Sequence, residues 1–267
     1  MLKKQDIIAS LNKIGAPRDK VVIVHTSLRK IGDIEGGAEA LLDALIEYFT
    51  SDGGLLCIPT HTWGYQDDKS VPTLDLCNPR SSIGTLPDIA SRDSRGIRTL
   101  HPSHSMMVFG NKDKVLDFVS GEEKIETTAS PDGCYGKIYK MGGYVLLLGV
   151  GQDKNTFLHC VEEMLGVNNR IDYKNPIILT VKHLDGHIEK RKQYQLYSEG
   201  IVDVSMQFPN YEPAFRKHGC ITDGMMGNAE MQLCDTVKMK DVMTLIYERS
   251  NGAEVLYDLT PINEEFY

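Results

Sequence analysis

The sequence predicts an α/β protein, and three apolar runs separated by helical patterns support that prediction. Val21–Val24, Leu55–Ile58 and Tyr144–Val150 are short, are rich in aliphatic residues, and are followed by turn or polar residues, as buried strands are. A helical pattern occupies the connection between the first two runs, so these strands are expected to pair in parallel through a right-handed crossover. We therefore expect one α/β/α domain over residues 1–267 with a mostly parallel central sheet.

The first half of the chain alternates helices with strands. A helix at Lys4–Ile14 is expected to end at Gly15-Ala16-Pro17, and Gly36-Gly37 opens a second helix that runs to Phe49. Residues 64–82 are polar and contain proline, which predicts a long loop of the kind that borders active sites. Further elements are predicted at residues 81–92 (helix), 106–109 (strand) and 112–119 (helix).

The pattern changes after residue 176. Ile177–Val181 and Glu189–Tyr197 flank Asp185-Gly186, which predicts a β-hairpin added in the C-terminal part of the chain. Helices are expected at 211–216 and 237–249, and no repeat or interdomain linker interrupts the pattern.

Composition narrows the class of protein. The formal charge of −8 argues against non-specific binding of nucleic acid and mildly favours a cationic ligand. The six cysteines contain no CxxC pair, so we expect reduced thiols, with Cys57 and Cys160 in the core. Because no apolar run has the length or flanks of a signal peptide or membrane span, a cytoplasmic protein is expected.

The segment Asn155–Glu162 directly follows the third apolar run. Asn155 or Thr156 offers a cap for a helix that carries His159 and Glu162 three residues apart, hence on one face. Open α/β sheets bind ligands beyond the carboxyl ends of their strands. His159 is therefore a candidate general base, and Glu162 is either its carboxylate partner or a solvated helix charge.

A second cluster is Arg98–Ser105, which contains His101 and His104 on either side of Pro102. Three interpretations stay open: a ligand-binding loop, a structural turn or, least favoured, a metal site, since no carboxylate or cysteine lies nearby at ligand spacing. His25–Leu28 and Ser81–Thr85 are candidate anion-binding segments.

No nucleophile motif of the Gly-x-Ser-x-Gly type is present, and neither is a phosphate-binding glycine motif. The residues themselves thus indicate an α/β enzyme with a histidine base and do not name its reaction.

Taken together and in order, these segments resemble the aminoglycoside 3-N-acetyltransferase family, whose fold differs from the GNAT fold. The resemblance covers roughly residues 1–245. The matching segments are His25-Thr26-Ser27-Leu28, Gly36-Gly37-Ala38, Asp52–Trp63, Asn78–Pro87, Arg98–Ser105, Ser130-Pro131, Gly143–Gly151, Asn155–Glu162 and Gly224–Ala229.

The resemblance implies acetyl transfer from acetyl-CoA to the 3-amino group of an aminoglycoside in a ternary complex, without a covalent acyl-enzyme or a metal. His159 falls on the family's catalytic histidine. The family often pairs this histidine with an acid that follows the hairpin region, here Glu199 or Asp203, while Glu162 is the candidate partner given by its spacing from His159. The resemblance places the CoA groove at the following residues: His25, Thr26, Ser27, Leu28, Ser82, Thr85, His101 and Ser105.

The acceptor contacts implied by the same resemblance are Asp67, Asp68 and Glu162, and hydroxyls or amides near Thr26-Ser27 or Ser105 would stabilise the oxyanion. A small cationic amine is the expected partner of a monomer or homodimer, with no nucleic acid or membrane involved. Three alternatives remain: acyl transfer to a different amine, a non-catalytic CoA-binding protein, and a metal-dependent hydrolase using His101 and His104.

Overall fold

The computed structural model describes residues 1–197, 203–256 and 261–267, and the strands within these ranges form two sheets. In chain order the strands are β1 (Val21–Thr26), β2 (Leu55–Pro59), β3 (Leu74–Asp75), β4 (Ile97–Arg98), β5 (Met106–Phe109), β6 (Tyr144–Leu148), β7 (Ile177–Lys182), β8 (Ile188–Gln193), β9 (Ile221–Met226) and β10 (Ala229–Asp235). The main sheet has the order β4-β5-β2-β1-β6-β10-β9, and β3, β7 and β8 form the smaller sheet.

Helices cover both faces of the main sheet. They are α1 (Lys4–Lys13), α2 (Leu28–Ile31), α3 (Gly37–Thr50), α4 (Thr85–Ala90), α5 (Lys112–Val119), α6 (Cys134–Lys140), α7 (Phe157–Leu165), α8 (Glu212–Lys217) and α9 (Thr236–Arg249). Alternate residues of β1 point to opposite faces. Val22 and Val24 join the core formed with α1, α3 and α4, whereas Val21 and Ile23 join the core formed with α5 to α9. The predicted α/β/α layering is confirmed.

The prediction of a mostly parallel sheet is wrong. In the main sheet, β1 pairs in parallel with β2 and β6, but β5, β4, β10 and β9 all join their neighbours in antiparallel fashion. For β9 and β10 the connection explains the direction, because a two-residue turn permits only antiparallel pairing. Gly227 and Asn228 make such a turn between β9 and β10, where Gly227 has φ +58° and an added Cβ would lie 2.4 Å from the Ile31 carbonyl oxygen.

The predicted hairpin is confirmed as β7–β8, with Ile177 opposite Gln193 and Lys182 opposite Ile188. It is not a C-terminal addition, however. After β8 the chain returns to the main sheet as β9 and β10, and the hairpin pairs instead with β3 from the predicted 64–82 loop.

The three parallel strands β1, β2 and β6 bring their carboxyl ends to one edge of the main sheet. The helix that leads from β1 to β2 is α3 on one face, and α5 and α6 precede β6 on the other face. Because these helices lie on opposite faces of the sheet, a crevice is left beyond the strand ends, where α/β folds bind their ligands. In the described ranges of the chain, no helix is both long enough and apolar enough to cross a membrane.

Candidate active site

A cleft of about 560 Å³ opens at this edge of the main sheet. Part of its lining comes from segments joined to the ends of main-sheet strands; we call this the strand-end wall, and it comprises His25, Thr26, His61, His104 and His159. The rest of the lining includes residues of the loop after β2 and of the segment after β8; we call this the outer wall, and it comprises Trp63, Gln66, Gln195, Leu196 and Asp203.

His159 lies in the first turn of α7, where it is 8% exposed and its ring packs against Phe208 with 4.7 Å between ring centroids. Its Nδ1 lies 3.6 Å from Oε2 of Glu162, so the two side chains share a helix face as predicted. That distance is longer than a hydrogen bond, although such contacts often tighten only when substrates bind. With Nδ1 turned toward the carboxylate, Nε2 is the nitrogen left to act on a molecule in the cleft.

The start of α7 differs from the predicted cap. Thr156 occupies the cap position, but its side chain makes no capping hydrogen bond. Asn155 is fully buried, and its amide donates to Oε1 of Gln152 at 2.9 Å. Asn155 thus ties the start of α7 to the short 3₁₀ helix at Gln152–Lys154 that precedes it.

Glu162 does not line the cleft, because it lies behind His159 and is only 1% exposed. Its other oxygen, Oε1, accepts a hydrogen bond of 2.6 Å from Nε of Arg170. The same guanidinium pairs with Oε2 of Glu254 at 2.5 Å. Burial of Arg170 works against its charge, but the two carboxylates outweigh burial and raise the pKa of Arg170. Glu162 is therefore a partner of the imidazole and is not a solvated helix charge.

The other histidines of the strand-end wall are uncharged at neutral pH. Burial lowers the pKa of His25 to about 4, and it holds the pKa values of His61 and His104 well below their ordinary value, with neighbouring histidines adding to the effect. His61 Nε2 lies 3.1 Å from the hydroxyl of Tyr135, and the rings of His61 and His104 are 4.5 Å apart. This wall can therefore exchange hydrogen bonds with a ligand without repelling a cation.

Apart from Nδ1 of His159, which faces Glu162, two polar atoms of this wall have no hydrogen-bond partner among the described residues: Nε2 of His25 and Oγ1 of Thr26. Buried polar groups are normally hydrogen-bonded, so an unpartnered pair on a cleft wall marks a place for a ligand atom. Both residues were predicted to contact CoA.

His101 and Ser105 lie behind the wall and are fully buried. The ring of His101 donates from Nε2 to the Thr127 carbonyl at 2.9 Å, and its Nδ1 accepts from the His104 amide at 2.9 Å. The hydroxyl of Ser105 donates to the Thr60 carbonyl and accepts from Arg98. With their hydrogen bonds used inside the protein, these two residues shape the Arg98–Ser105 turn and do not form the cleft surface.

Four further residues predicted for the CoA groove do not line the cleft: Ser27, Leu28, Ser82 and Thr85. Ser82 holds the loop after β2 by donating to the His61 carbonyl at 3.1 Å, and the Ser27 amide donates to the Leu148 carbonyl at 2.9 Å. Ile83 and Pro87 do line it, as does the predicted Thr26, so the segment after Ser81 reaches the cleft through residues other than the predicted ones.

On the outer wall, Asp203 lines the cleft and accepts from the amide and hydroxyl of Ser205 at 3.0 and 2.7 Å. Asp67 and Asp68 are exposed and outside the lining, and Asp68 binds the Ser70 hydroxyl at 2.6 Å. Glu199 falls outside the described residues. Of the candidate acidic partners that the structure describes, Glu162 is the one in contact with His159.

A family model described as aminoglycoside 3-N-acetyltransferase matches residues 23–248 of this chain. The chain belongs to this family. It is thus an acetyltransferase of the aminoglycoside 3-N-acetyltransferase type. The predicted resemblance is confirmed.

Relatives with curated descriptions match most of the chain. The aminoglycoside N(3)-acetyltransferase VII of Streptomyces paromomycinus is 25% identical over 286 residues, covering 95% of this chain and 96% of the relative. The SPbeta prophage-derived aminoglycoside N(3')-acetyltransferase-like protein YokD of Bacillus subtilis (strain 168) is 28% identical over 225 residues, covering 77% and 80%.

Solved structures of family members share the fold. AAC-IIIb, solved as a binary complex with CoASH, has a TM-score of 0.78 at 20% identity and covers 92% of this chain and 97% of its own. A variant of AAC(3)-IVa in complex with a gentamicin has a TM-score of 0.74 at 23% identity, with 90% and 86% covered.

Several residues of this acetyltransferase site escape sequence reasoning. His61 lies just beyond the carboxyl end of β2, and a position at the end of a strand is also what indicated His25. The same reasoning could therefore have placed His61 in the cleft. Arg170 and Glu254 had no such signal, because nothing local marks residues 8 and 92 positions beyond Glu162 as its neighbours. The cysteines are as predicted: all six are free, and Cys57 and Cys160 are buried.

Proposed function

We propose that this acetyltransferase transfers the acetyl group of acetyl-CoA directly to the 3-amino group of an aminoglycoside, with His159 as the general base. The observation that carries the proposal is the position of His159, buried in the cleft wall with Nδ1 facing the Glu162 carboxylate. A carboxylate at Nδ1 leaves a lone pair on Nε2 and stabilises the imidazolium that forms when the ring accepts a proton.

In the proposed step, the acceptor nitrogen loses a proton to Nε2 of His159 and attacks the carbonyl carbon of the thioester. The carbon–sulfur bond then breaks, and the CoA sulfur leaves as a thiolate that is protonated to the free thiol. Acetylated amine and CoA are the products, and the proton held by His159 returns to solvent or to the leaving sulfur.

Negative charge develops on the carbonyl oxygen during this attack and needs a hydrogen-bond donor. Thr26 supports such a role, since this residue lines the cleft and its buried Oγ1 has no protein partner among the described residues. The two other predicted donors are less suitable, because the Ser27 amide is bonded to Leu148 and the Ser105 hydroxyl is buried and bonded to Thr60.

Direct transfer also agrees with the surroundings of the possible nucleophiles. Burial raises the pKa of the Cys160 thiol well above its ordinary value, so this side chain stays protonated. Ser103 lies 2.9 Å from Nδ1 of His104, but it is 3% exposed and no carboxylate is hydrogen-bonded to that ring among the described residues. Nucleophilic serines rely on a base that a third group orients.

The test is thiol release from acetyl-CoA with aminoglycosides that carry or lack a free 3-amine. We expect release only with the 3-amine, and intact-protein mass spectrometry should find no acetylated enzyme after incubation with acetyl-CoA alone. Release that does not depend on the 3-amine would overturn the regiochemistry. An acetylated enzyme intermediate would overturn direct transfer, and CoA binding without turnover on any amine would overturn the catalytic assignment.

A further inference from the structure

Behind His159 a chain of buried charges runs to the C-terminal segment of the protein. Glu162, Arg170 and Glu254 follow one another with contacts of 2.6 and 2.5 Å, and their side chains are 1%, 3% and 18% exposed. Glu254 lies after α9, beyond the residues matched by the family model. None of these three residues lines the cleft.

The surroundings of this chain are largely apolar. Glu254 lies in a small pocket with Leu165, Val167, Met243 and Ile246, and the ring of Tyr211 is buried beside the charges. Burial, and to a smaller extent the nearby carboxylates, raises the pKa of Tyr211, so its hydroxyl stays neutral. In such a medium Coulomb interactions are stronger than in water, so a change of one charge alters the electrostatic energy of the neighbouring charges.

The side-chain charges of Glu162, Arg170 and Glu254 sum to −1, because one guanidinium lies between two carboxylates. When the imidazole of His159 accepts a proton, the four groups together become neutral. Two neighbouring histidines, His61 and His104, interact with that ring from the loops next to β2 and β5, and burial holds their pKa values well below the ordinary value, so they add no charge. The charged residues Asp153, Lys154 and Asp203 line the same cleft and stay unchanged in the variants proposed below. The ring of Phe208, which carries no charge, also packs against the imidazole.

We propose that Arg170 and Glu254 are positioning residues for the base: Arg170 fixes Glu162 so that Oε2 faces His159, and Glu254 supplies the charge that keeps the group complementary to an imidazolium. This inference rests on the proposed function for its kinetic readout. It extends that function to a C-terminal segment far from the cleft in sequence.

The charge balance predicts an unusual pattern among variants. Glu254→Gln makes the remaining Glu162–Arg170 pair neutral, so the imidazolium of His159 loses stabilisation. Arg170→Gln added to that variant leaves Glu162 alone and restores the net charge of −1. The double variant should therefore titrate more like the native enzyme than Glu254→Gln does, which a residue that merely braces the fold would not produce.

Two titrations measure this. The first is the pH dependence of kcat at saturating acetyl-CoA and acceptor, whose acidic limb reports the base in the enzyme–substrate complex. The second is the NMR titration of the His159 ring in the free enzyme, assigned among the eight histidines by comparison with His159→Gln. The NMR titration needs no turnover, so it tests the inference even if no amine is acetylated.

We expect Glu254→Gln to move both midpoints to lower pH by roughly half a unit to one unit. It should also lower kcat on the order of ten-fold, with little change in the acceptor KM. The double variant should return both midpoints most of the way. Arg170→Lys keeps the charge but loses the fork that bridges two carboxylates, so it should lower kcat without lowering the midpoints.

Glu122→Gln serves as a control for the loss of a buried carboxylate. Glu122 is 3% exposed, and its Oε2 accepts from the Cys134 amide at 2.7 Å, so the change should affect thermal stability and leave the midpoints in place. Midpoints that stay fixed in Glu254→Gln while Tm falls would overturn the inference and make the chain a structural brace. A double variant that titrates lower than Glu254→Gln would overturn it as well.

Discussion

The two walls of the cleft are built on different principles. Three of the five side chains of the strand-end wall, His25, His61 and His159, are only 5–8% exposed, and the wall lies at the ends of paired strands. The outer wall is more open, with Trp63 at 46% exposure, and its residues belong to loops and to short 3₁₀ turns within them. Rigid elements hold reacting groups more accurately than loops do, whereas loops vary more freely. Chemistry is therefore expected at the first wall and acceptor preference at the second.

The contrast between the two walls depends most strongly on the strand-end wall being the catalytic one. We expect His159→Gln to lower kcat about a thousand-fold, the usual range for loss of a general base. CoA affinity by calorimetry should stay within a few-fold of the native value. The matched control is His218→Gln, because His218 is exposed and outside the cleft. Equal kcat values in the two variants would show that His159 is not the general base.

The burial of neutral histidines should make the protein sensitive to acid. Burial lowers the pKa of His25 and of His101 to about 4, so between that value and about 6.5 the unfolded chain binds protons that the folded chain does not. Their stabilisation is complete above about pH 6.5 and is lost as the pH falls. From pH 7 to 5 the two should cost about 4 kcal/mol of unfolding free energy, measurable by urea denaturation.

A variant with His25→Gln sharpens that measurement, since it removes one of these buried histidines. Its loss of stability between pH 7 and 5 should be about 2 kcal/mol smaller than that of the native protein. An unchanged dependence on pH would mean that His25 is accessible to protons in the folded state.

The layer directly behind the strand-end wall should matter for folding more than for chemistry. His101→Leu leaves the Thr127 carbonyl and the His104 amide without their buried partner, at a cost of about 2–3 kcal/mol in unfolding free energy. His187→Leu, at an exposed position in the turn between β7 and β8, should change stability by less than about 0.5 kcal/mol. Similar denaturation midpoints for the two variants would contradict the role of His101 as a structural residue.

The outer wall should give the smallest effects, and these should concern the acceptor. Trp63→Ala is expected to raise the acceptor KM about ten-fold, or about 1.4 kcal/mol, with kcat within two- to three-fold of native. Its Tm should stay close to native, because the side chain is half exposed. A loss of kcat at unchanged KM would mean that the outer wall takes part in catalysis, which contradicts the proposed difference between the two walls.

Local pattern was sufficient for the elements whose signal lies within a few residues. β1, α3, β2 and α7 match their predicted positions, and the three-residue spacing alone brought His159 and Glu162 to one face. The segments that resembled the family were recognisable for the same reason, since each is a short run of residues in a set order. α6 was missed, although residues 134–140 are helical.

Strand direction and remote pairing depended on tertiary structure. β10 pairs with β6 across more than eighty residues, and no local pattern states which strand it will join or in which direction. The same limit separates residues that line the cleft from those behind it: His104 and His101 share one short turn, yet only His104 reaches the cleft.

The sequence by itself determined the fold class, the family and the identity of the candidate base, because periodicity, turn chemistry and motif order are local properties. Tertiary structure decided which charged side chains are buried in contact with one another. Arg170 and Glu254 became partners of Glu162 only once α7, the segment after it and the chain beyond α9 packed together. Burial then set the charges of the histidines, since the cost of a buried charge depends on everything that surrounds it.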